Sequence, residues 1–278
     1  MKPLLKRIIG GALYASAVAV GLLGPQLLFL TVFGFALVWT LHEFYTMSAD
    51  SDYFLSRLLI SIGALALFVL VFYARLDVLS WNWLLLVFVP VLAALAMPLY
   101  RFRAGSLACF SSLCAGFLYI ALPLCVLPIL VTAGGEYDGL AALSLFIIVS
   151  LNDVGAYFLG STLGQRSGAR KLAPTISPNK SWWGLAGGIV VSVLACCGLS
   201  LLGWIHLHGA VHCIVFGLLM SISGTVGDLV ESMWKRHFGV KDSGNIIPGH
   251  GGLYDRLDSI LFAAPLAAIY FEISGLLQ

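Results

Sequence analysis

Charge is what this sequence has least of. Lys, Arg, Asp and Glu make up 10% of 278 residues, where soluble domains carry about 25%. So few charges cannot cover a water-soluble surface. With 60% of residues hydrophobic and a mean hydropathy of +0.99, an aqueous fold has nowhere to bury the apolar sequence. The net charge is +2 and no block of five like charges occurs, which excludes a nucleic-acid-binding surface. Cysteine is also scarce. Cys109, Cys114, Cys125, Cys196, Cys197 and Cys213 lie in or beside apolar stretches without CxxC spacing. They read as small buried hydrophobes, not as a zinc or redox motif. Nor is there an internal repeat long enough to mark an inverted-repeat transporter.

What the chain does have is a series of long apolar runs, at 8–23, 26–41, 55–73, 81–98, 107–131, 139–161, 182–203, 207–230 and 259–277. A spanning helix needs about 20 apolar residues. The expected fold class is therefore all-α, a polytopic integral membrane protein with about nine transmembrane helices. One membrane domain is expected over 1–278, with no separate soluble domain. Within it, 1–135 supplies N-terminal helices and 136–278 the catalytic helices. The basic start, Met1 to Arg7, looks like the head of a signal peptide, but apolar sequence continues past Gly21 to Trp39 and predicts an uncleaved first span.

Nine spans assign loops to alternate sides. Lys2, Lys6, Arg7, Arg57, Arg101, Arg103, Arg166, Arg170, Lys171, Lys180, Lys235, Arg236, Lys241 and Arg256 then share one side, and Arg75 falls on the other. The positive-inside rule makes the shared side cytoplasmic. Two connections on that side, 162–181 and 231–258, are longer than the others, and function is expected there.

The stretch from Gly227 to Asp258 holds five of the thirteen acidic residues. Asp228 follows Gly217, Ser221 and Gly224 on one helix face, a stripe suited to close helix packing. An acid in or near hydrocarbon costs about 2.5–3.5 kcal/mol, so a cation or polar cavity should accompany it. Beyond Gly239, Lys241, Asp242 and His250 are interspersed with Gly244, Pro248, Gly249, Gly251 and Gly252. Such a loop can turn backbone N–H groups toward a phosphate. Asp255, Arg256 and Asp258 open the last span, with the two acids three apart on one face. Together with Asp228 they form a candidate oxygen-rich site for Mg²⁺. Acids at a helix N-terminus explain one such Asp, but less well three interleaved with Lys241, His250 and Arg256. Carboxylates mixed with cations suit a metal-bound polyphosphate.

A second polar patch runs from Asn152 and Asp153 to Ser177, Asn179, Lys180 and Ser181, with Trp182 and Trp183 at headgroup level. A positive-inside loop with an aromatic belt explains the basic residues and tryptophans. It does not explain Asp153, which is expected to be buried. His42, Glu43, His206, His208, His212 and Glu272 are set aside, with His42 and Glu43 read as marking a membrane interface.

At these positions the chain closely resembles the phosphatidate cytidylyltransferases, or CDP-diacylglycerol synthases. Their C-terminal pattern is met by Ser232, Lys235, Arg236, Lys241, Asp242, Gly244, Ile247, Pro248, Gly249, His250, Gly251, Gly252, Leu253, Asp255, Arg256, Leu257 and Asp258. Gly155 to Gly160 resembles the family's GAYxxG segment, and Ser177 to Gly184 its SPxKTxEG loop. Ser181 and Trp183 stand where Thr and an acid are usual. The resemblance covers the last 130 residues or so; the earlier ones match in hydropathy alone.

The resemblance implies transfer of CMP from CTP to phosphatidic acid, giving CDP-diacylglycerol and pyrophosphate, with Mg²⁺ and room for a second cation. It implies metal ligation by Asp228, Asp255 and Asp258, and phosphate contacts from Lys241, Arg256 and Lys180. Asp242 and His250 would position a phosphate or handle its proton, while Ser177, Asn179 and Asp153 would contact substrate. The expected setting is a bacterial-type inner membrane, with membrane lipids as partners and the site facing the cytoplasm. GxxxG spacings at Gly160/Gly164 and Gly184/Gly188 permit close helix contacts within one chain or in a homodimer. A CTP-using lipid kinase would share the nucleotide chemistry, and a transporter would tolerate acids in its spans. The gathering of polar residues on one side disfavours the transporter.

Overall fold

The computed structural model describes residues 3–275 except 50, 101, 103, 104, 167, 248 and 250. Of the basic residues used for orientation, Lys2, Arg101 and Arg103 therefore lie outside the described residues. Among the described residues, nine helical stretches are long and apolar enough to cross a membrane. They comprise α1 (Pro3–Leu23), α2 (Gln26–Ser48), α3 (Phe54–Arg75) and α4 (Phe88–Tyr100), the last led in by 3₁₀ turns over Trp81–Val87. Next come α5 (Ser106–Gly116), α6 (Leu140–Thr162), α7 (Trp182–Leu201), α8 (Ala210–His237) and α9 (Tyr254–Ser274). The span of α5 passes through a π-helical turn over Phe117–Ala121 and ends in short helices, the last of them reaching Val131. Pro123, just beyond the π turn, has no N–H to continue the regular ladder. All-α membrane architecture is the observed class.

Two helices are longer than hydropathy alone predicts. α8 continues past 230 to His237, where the sequence turns charged but stays helix-competent. Glu231 and Lys235 pair at 2.7 Å one turn apart, and Lys235, Arg236 and His237 face the negative helix end. α9 starts at Tyr254, with Asp255 in its first turn, where an acid is favoured. The connection expected at 231–258 thus contracts to 238–253.

The 162–181 connection is not wholly irregular. Its strands β1 (Lys171–Ala173) and β2 (Ser177–Ser181) form an antiparallel hairpin with Lys171 opposite Ser181 and Ala173 opposite Ser177. Pro178 is tolerated because the sheet has two strands, each with a free edge. Ser181 ends the hairpin and caps α7, its Oγ accepting from Gly184 N at 3.1 Å.

The chain parts into two compact units, Met1–Gly139 with Phe238–Leu257, and Leu140–His237 with Asp258–Gln278. The glycine-rich segment after α8 thus groups with the N-terminal helices. In the first unit, Phe29 packs against Phe33, Phe68 and Phe72 at ring distances of 5.3, 5.4 and 5.6 Å. In the second, α6 and α7 meet along small residues, with Gly155 against the Gly187 carbonyl and Gly160 beside the Gly184 backbone. Both GxxxG pairs are thus engaged inside one chain. The stripe on α8 is packed as well: Gly217 lies on Val193 of α7 and Gly224 beside Val149 and Ser259. Large side chains such as Leu27, Leu99 and Leu201 are exposed, at 70%, 73% and 89%, as apolar faces toward lipid would be.

Candidate active site

The second unit contains a cleft of about 660 Å³ whose lining includes Asn152, Asp153, Asn179, Lys180, Thr225 and Asp228. α6 contributes the first two, and their roles are opposite. Asn152 is buried, and its Oδ1 accepts from Ser221 Oγ at 2.6 Å and Ser192 Oγ at 3.5 Å. It therefore ties α6 to α7 and α8. Asp153, expected to be buried, is exposed to the cleft instead. Successive helical residues point about 100° apart, so when Asn152 enters the seam its neighbour must leave it.

The hairpin presents Lys180 to the cleft from one side. Its Nζ meets Asp228 Oδ2 at 2.5 Å, and Ser232 Oγ donates to Asp228 Oδ1 at 3.4 Å. Asn179 is exposed, its carbonyl accepting from Gln165 Nε2 at 3.1 Å, and Ser177 at the start of β2 is half-buried. Gln165 escaped the sequence reading. Its side chain also accepts from Lys171 Nζ at 2.7 Å, bracing the hairpin from below.

Behind Lys180 stands the acidic group. Oxygens of Asp228, Glu231 and Asp258 lie within 4.8 Å of one another. Gly227 makes this possible: a Cβ there would overlap the carbonyl of Asp258, so α8 and α9 approach closely where their acids stand. Asp258 also accepts from Ser259 N at 2.6 Å, and Glu231 is 2% exposed and paired with Lys235. The donors are all carboxylate oxygens, two of the acids have one lysine each, and Asp228 lines the cleft. That set fits a hard divalent cation, which prefers carboxylates and retains sites for water or phosphate oxygens.

Glu231 was missed in the sequence because falling hydropathy ended the eighth span before it. Its spacing of three from Asp228 within one helix was the available signal.

Asp255 also accepts hydrogen bonds from backbone N–H groups. In the first unit its Oδ2 accepts from Gly252 N at 2.7 Å and Ser243 N at 3.1 Å. Gly251 adopts φ +83°, and a Cβ there would crowd the same carboxylate. Asp255 thereby fixes the backbone at Ser243 and Gly252. Lys241, Asp242 and Arg256 are exposed, and Pro248 and His250 lie outside the described residues.

The description "Cytidylyltransferase family" belongs to a family model that matches residues 5–274. The chain is 46% identical over 125 residues to the phosphatidate cytidylyltransferase of Bacillus subtilis strain 168, covering 45% of this chain and 44% of that protein. It is 48% identical over 126 residues to the phosphatidate cytidylyltransferase of Staphylococcus aureus strain COL, covering 45% and 46%. The phosphatidate cytidylyltransferase of Staphylococcus epidermidis strain RP62A matches at 47% over 124 residues, with the same shares. The chain thus spans less than half the length of the curated relatives it matches. Because the family's pattern runs through nearly all of the described helices, the chain belongs to the cytidylyltransferase family.

Proposed function

We propose that this protein is an integral membrane phosphatidate cytidylyltransferase that makes CDP-diacylglycerol and pyrophosphate from CTP and phosphatidic acid. The observation that carries the reading is the cluster of Asp228, Glu231 and Asp258 beside Lys180 at a cleft of about 660 Å³. A phosphoanhydride substrate needs oxygen ligands for its metal and a cation for its charge, and both are present there. The names of the bacterial relatives supply the lipid acceptor.

In this reading an oxygen of the lipid phosphate attacks the α-phosphorus of CTP, and the bond to the β-phosphate oxygen breaks to release pyrophosphate. Mg²⁺, when bound, neutralises the phosphates and steadies the leaving group. Asp228, Glu231 and Asp258 would hold it. Lys180 would turn from Asp228 to a phosphate oxygen, and Asp153 and Asn179 would orient the substrate from the cleft wall. Lys241 and Arg256 would add positive charge, Asp242 and His250 would position a phosphate or take its proton, and Ser177 would support the hairpin. Asp255 would order the backbone at Ser243 and Gly252 and would also offer an oxygen to the metal. The positive-inside distribution supports a bacterial inner membrane location with the loops in the cytoplasm.

The test is purified protein in mild detergent with labelled CTP, Mg²⁺ and phosphatidic acid. Label should enter lipid only with phosphatidic acid present, with pyrophosphate released in equal amount. Transfer of the terminal phosphate of CTP to a lipid would support a kinase instead and overturn the proposal.

A further inference from the structure

Glu43 lies in α2 within a membrane-spanning stretch, yet it is an acid that is 5% exposed. Burying a carboxylate at such a place is costly unless donors meet it. Three do: Trp39 Nε1 at 3.0 Å on Oε1, and Tyr254 N at 2.9 Å and Ser243 Oγ at 3.2 Å on Oε2. Trp39 belongs to the same helix, but Ser243 and Tyr254 flank the glycine-rich segment, about 200 residues away in sequence.

The glycines of that segment answer to the same acid. A Cβ on Gly244 would overlap Glu43 Oε1, and one on Gly252 would overlap Glu43 Oε2 and Ser243 Oγ. Two of the motif's glycines are therefore places where backbone closes on the Glu43 carboxylate. From the other side Asp255 holds Ser243 N and Gly252 N. Phe44, the next residue on α2, packs edge-on against Tyr254 at 6.0 Å, and Tyr254 is fully buried. Ser243, Gly252 and Tyr254 are thus held by two carboxylates, with Lys241, Asp242 and Arg256 exposed nearby in sequence.

We propose that Glu43 is a positioning residue of the transferase. It holds Ser243, Gly244, Gly252 and Tyr254 in the arrangement that presents Lys241 and Arg256 to substrate phosphate. This rests on the proposed cytidylyl transfer and adds to it a residue from the N-terminal helices.

The experiment has two arms on the full-length protein in detergent. In Glu43→Gln the charge is lost whichever way the amide turns, so the contacts to Ser243 and Tyr254 are weakened or broken. Hydrogen exchange at Ser243, Gly252 and Tyr254 should then speed up about 10-fold or more, the factor set by one hydrogen bond to a charged group, while α6–α8 amides keep their protection. Unchanged exchange at these three amides would overturn the clamp whatever the enzyme does. In the second arm, Glu43→Gln and Lys241→Ala are assayed singly and together. Coupling through the loop makes the double variant no slower in kcat/KM than the worse single one, whereas losses that multiply would show Glu43 acting only on general stability. If Glu43→Gln does not fold, Ser243→Ala removes one loop contact, keeps the acid, and should give about 3-fold effects in both arms. Wild-type protein lacking cytidylyl transfer would sink the functional reading alone, since the exchange arm still decides the clamp.

Discussion

At the level of single residues, the acids divide into those that can bind and those that build. Asp228, Glu231 and Asp258 face one another within 4.8 Å, and that proximity is tolerable because lysines and, in the proposed reading, a metal balance it. Asp258→Asn should lower turnover about 100-fold or more, as loss of one charge-stabilising group does elsewhere, with the detergent-purified protein still monodisperse; lipid labelling measures it. Asp255→Asn should also slow the enzyme, through loop order as well as metal binding, and its mark is faster hydrogen exchange at Ser243 and Gly252. Asn152 belongs to the builders. Replacing it with Ala leaves Ser192 and Ser221, both fully buried, without their shared acceptor, costing roughly 1–3 kcal/mol. A lowered thermal unfolding midpoint in detergent checks this.

At the level of helices and strands, small residues decide where backbones can touch. The α6–α7 seam is built on Gly155, Gly160, Gly184 and Gly187, and a Cβ on Gly187 would press on Gly155 O and Leu159. Gly187→Val should therefore cost about 1–3 kcal/mol by overpacking. A Cβ on Gly198, on the same helix, would meet no neighbouring group within 4 Å, and Gly198→Ala should stabilise by about 0.5–1 kcal/mol. Thermal unfolding of the pair distinguishes a seam from a general dislike of bulk. The seam's stripe was legible in sequence as GxxxG spacing, but not its use: spacing alone serves contacts within a chain and between chains equally. The hairpin was not legible, because three to five residues with a proline in the second strand carry little strand signal.

At the level of the whole molecule, the membrane sets the architecture. Backbone groups in hydrocarbon must be satisfied internally, so apolar runs become helices, and nine do so among the described residues. If the proposed orientation holds, a cysteine placed at 79 should react with an impermeant thiol reagent from outside intact cells, and one placed at 241 only after the membrane is opened. Removing divalent metal with a chelator should stop cytidylyl transfer, and added Mg²⁺ should restore it; full activity in chelator would exclude the metal role of the acidic group.

The sequence by itself determined the class, the number of spans and the family, because hydropathy and motif spacing are local properties that no tertiary contact needs to complete. It also pointed to Asp228, Asp258 and Lys180 as residues with chemistry. Only the tertiary structure decided which partners they meet. Glu231 joins Asp228 because α8 stays helical beyond its apolar part. Asp153 turns outward because Asn152 takes the seam, and Asp255 turns to backbone N–H groups. Glu43, which in sequence reads as an interface residue, proves to be the acid around which Gly244 and Gly252 close. Its partners Ser243 and Tyr254 are about 200 residues distant, and no local pattern in a single sequence encodes a contact across that separation.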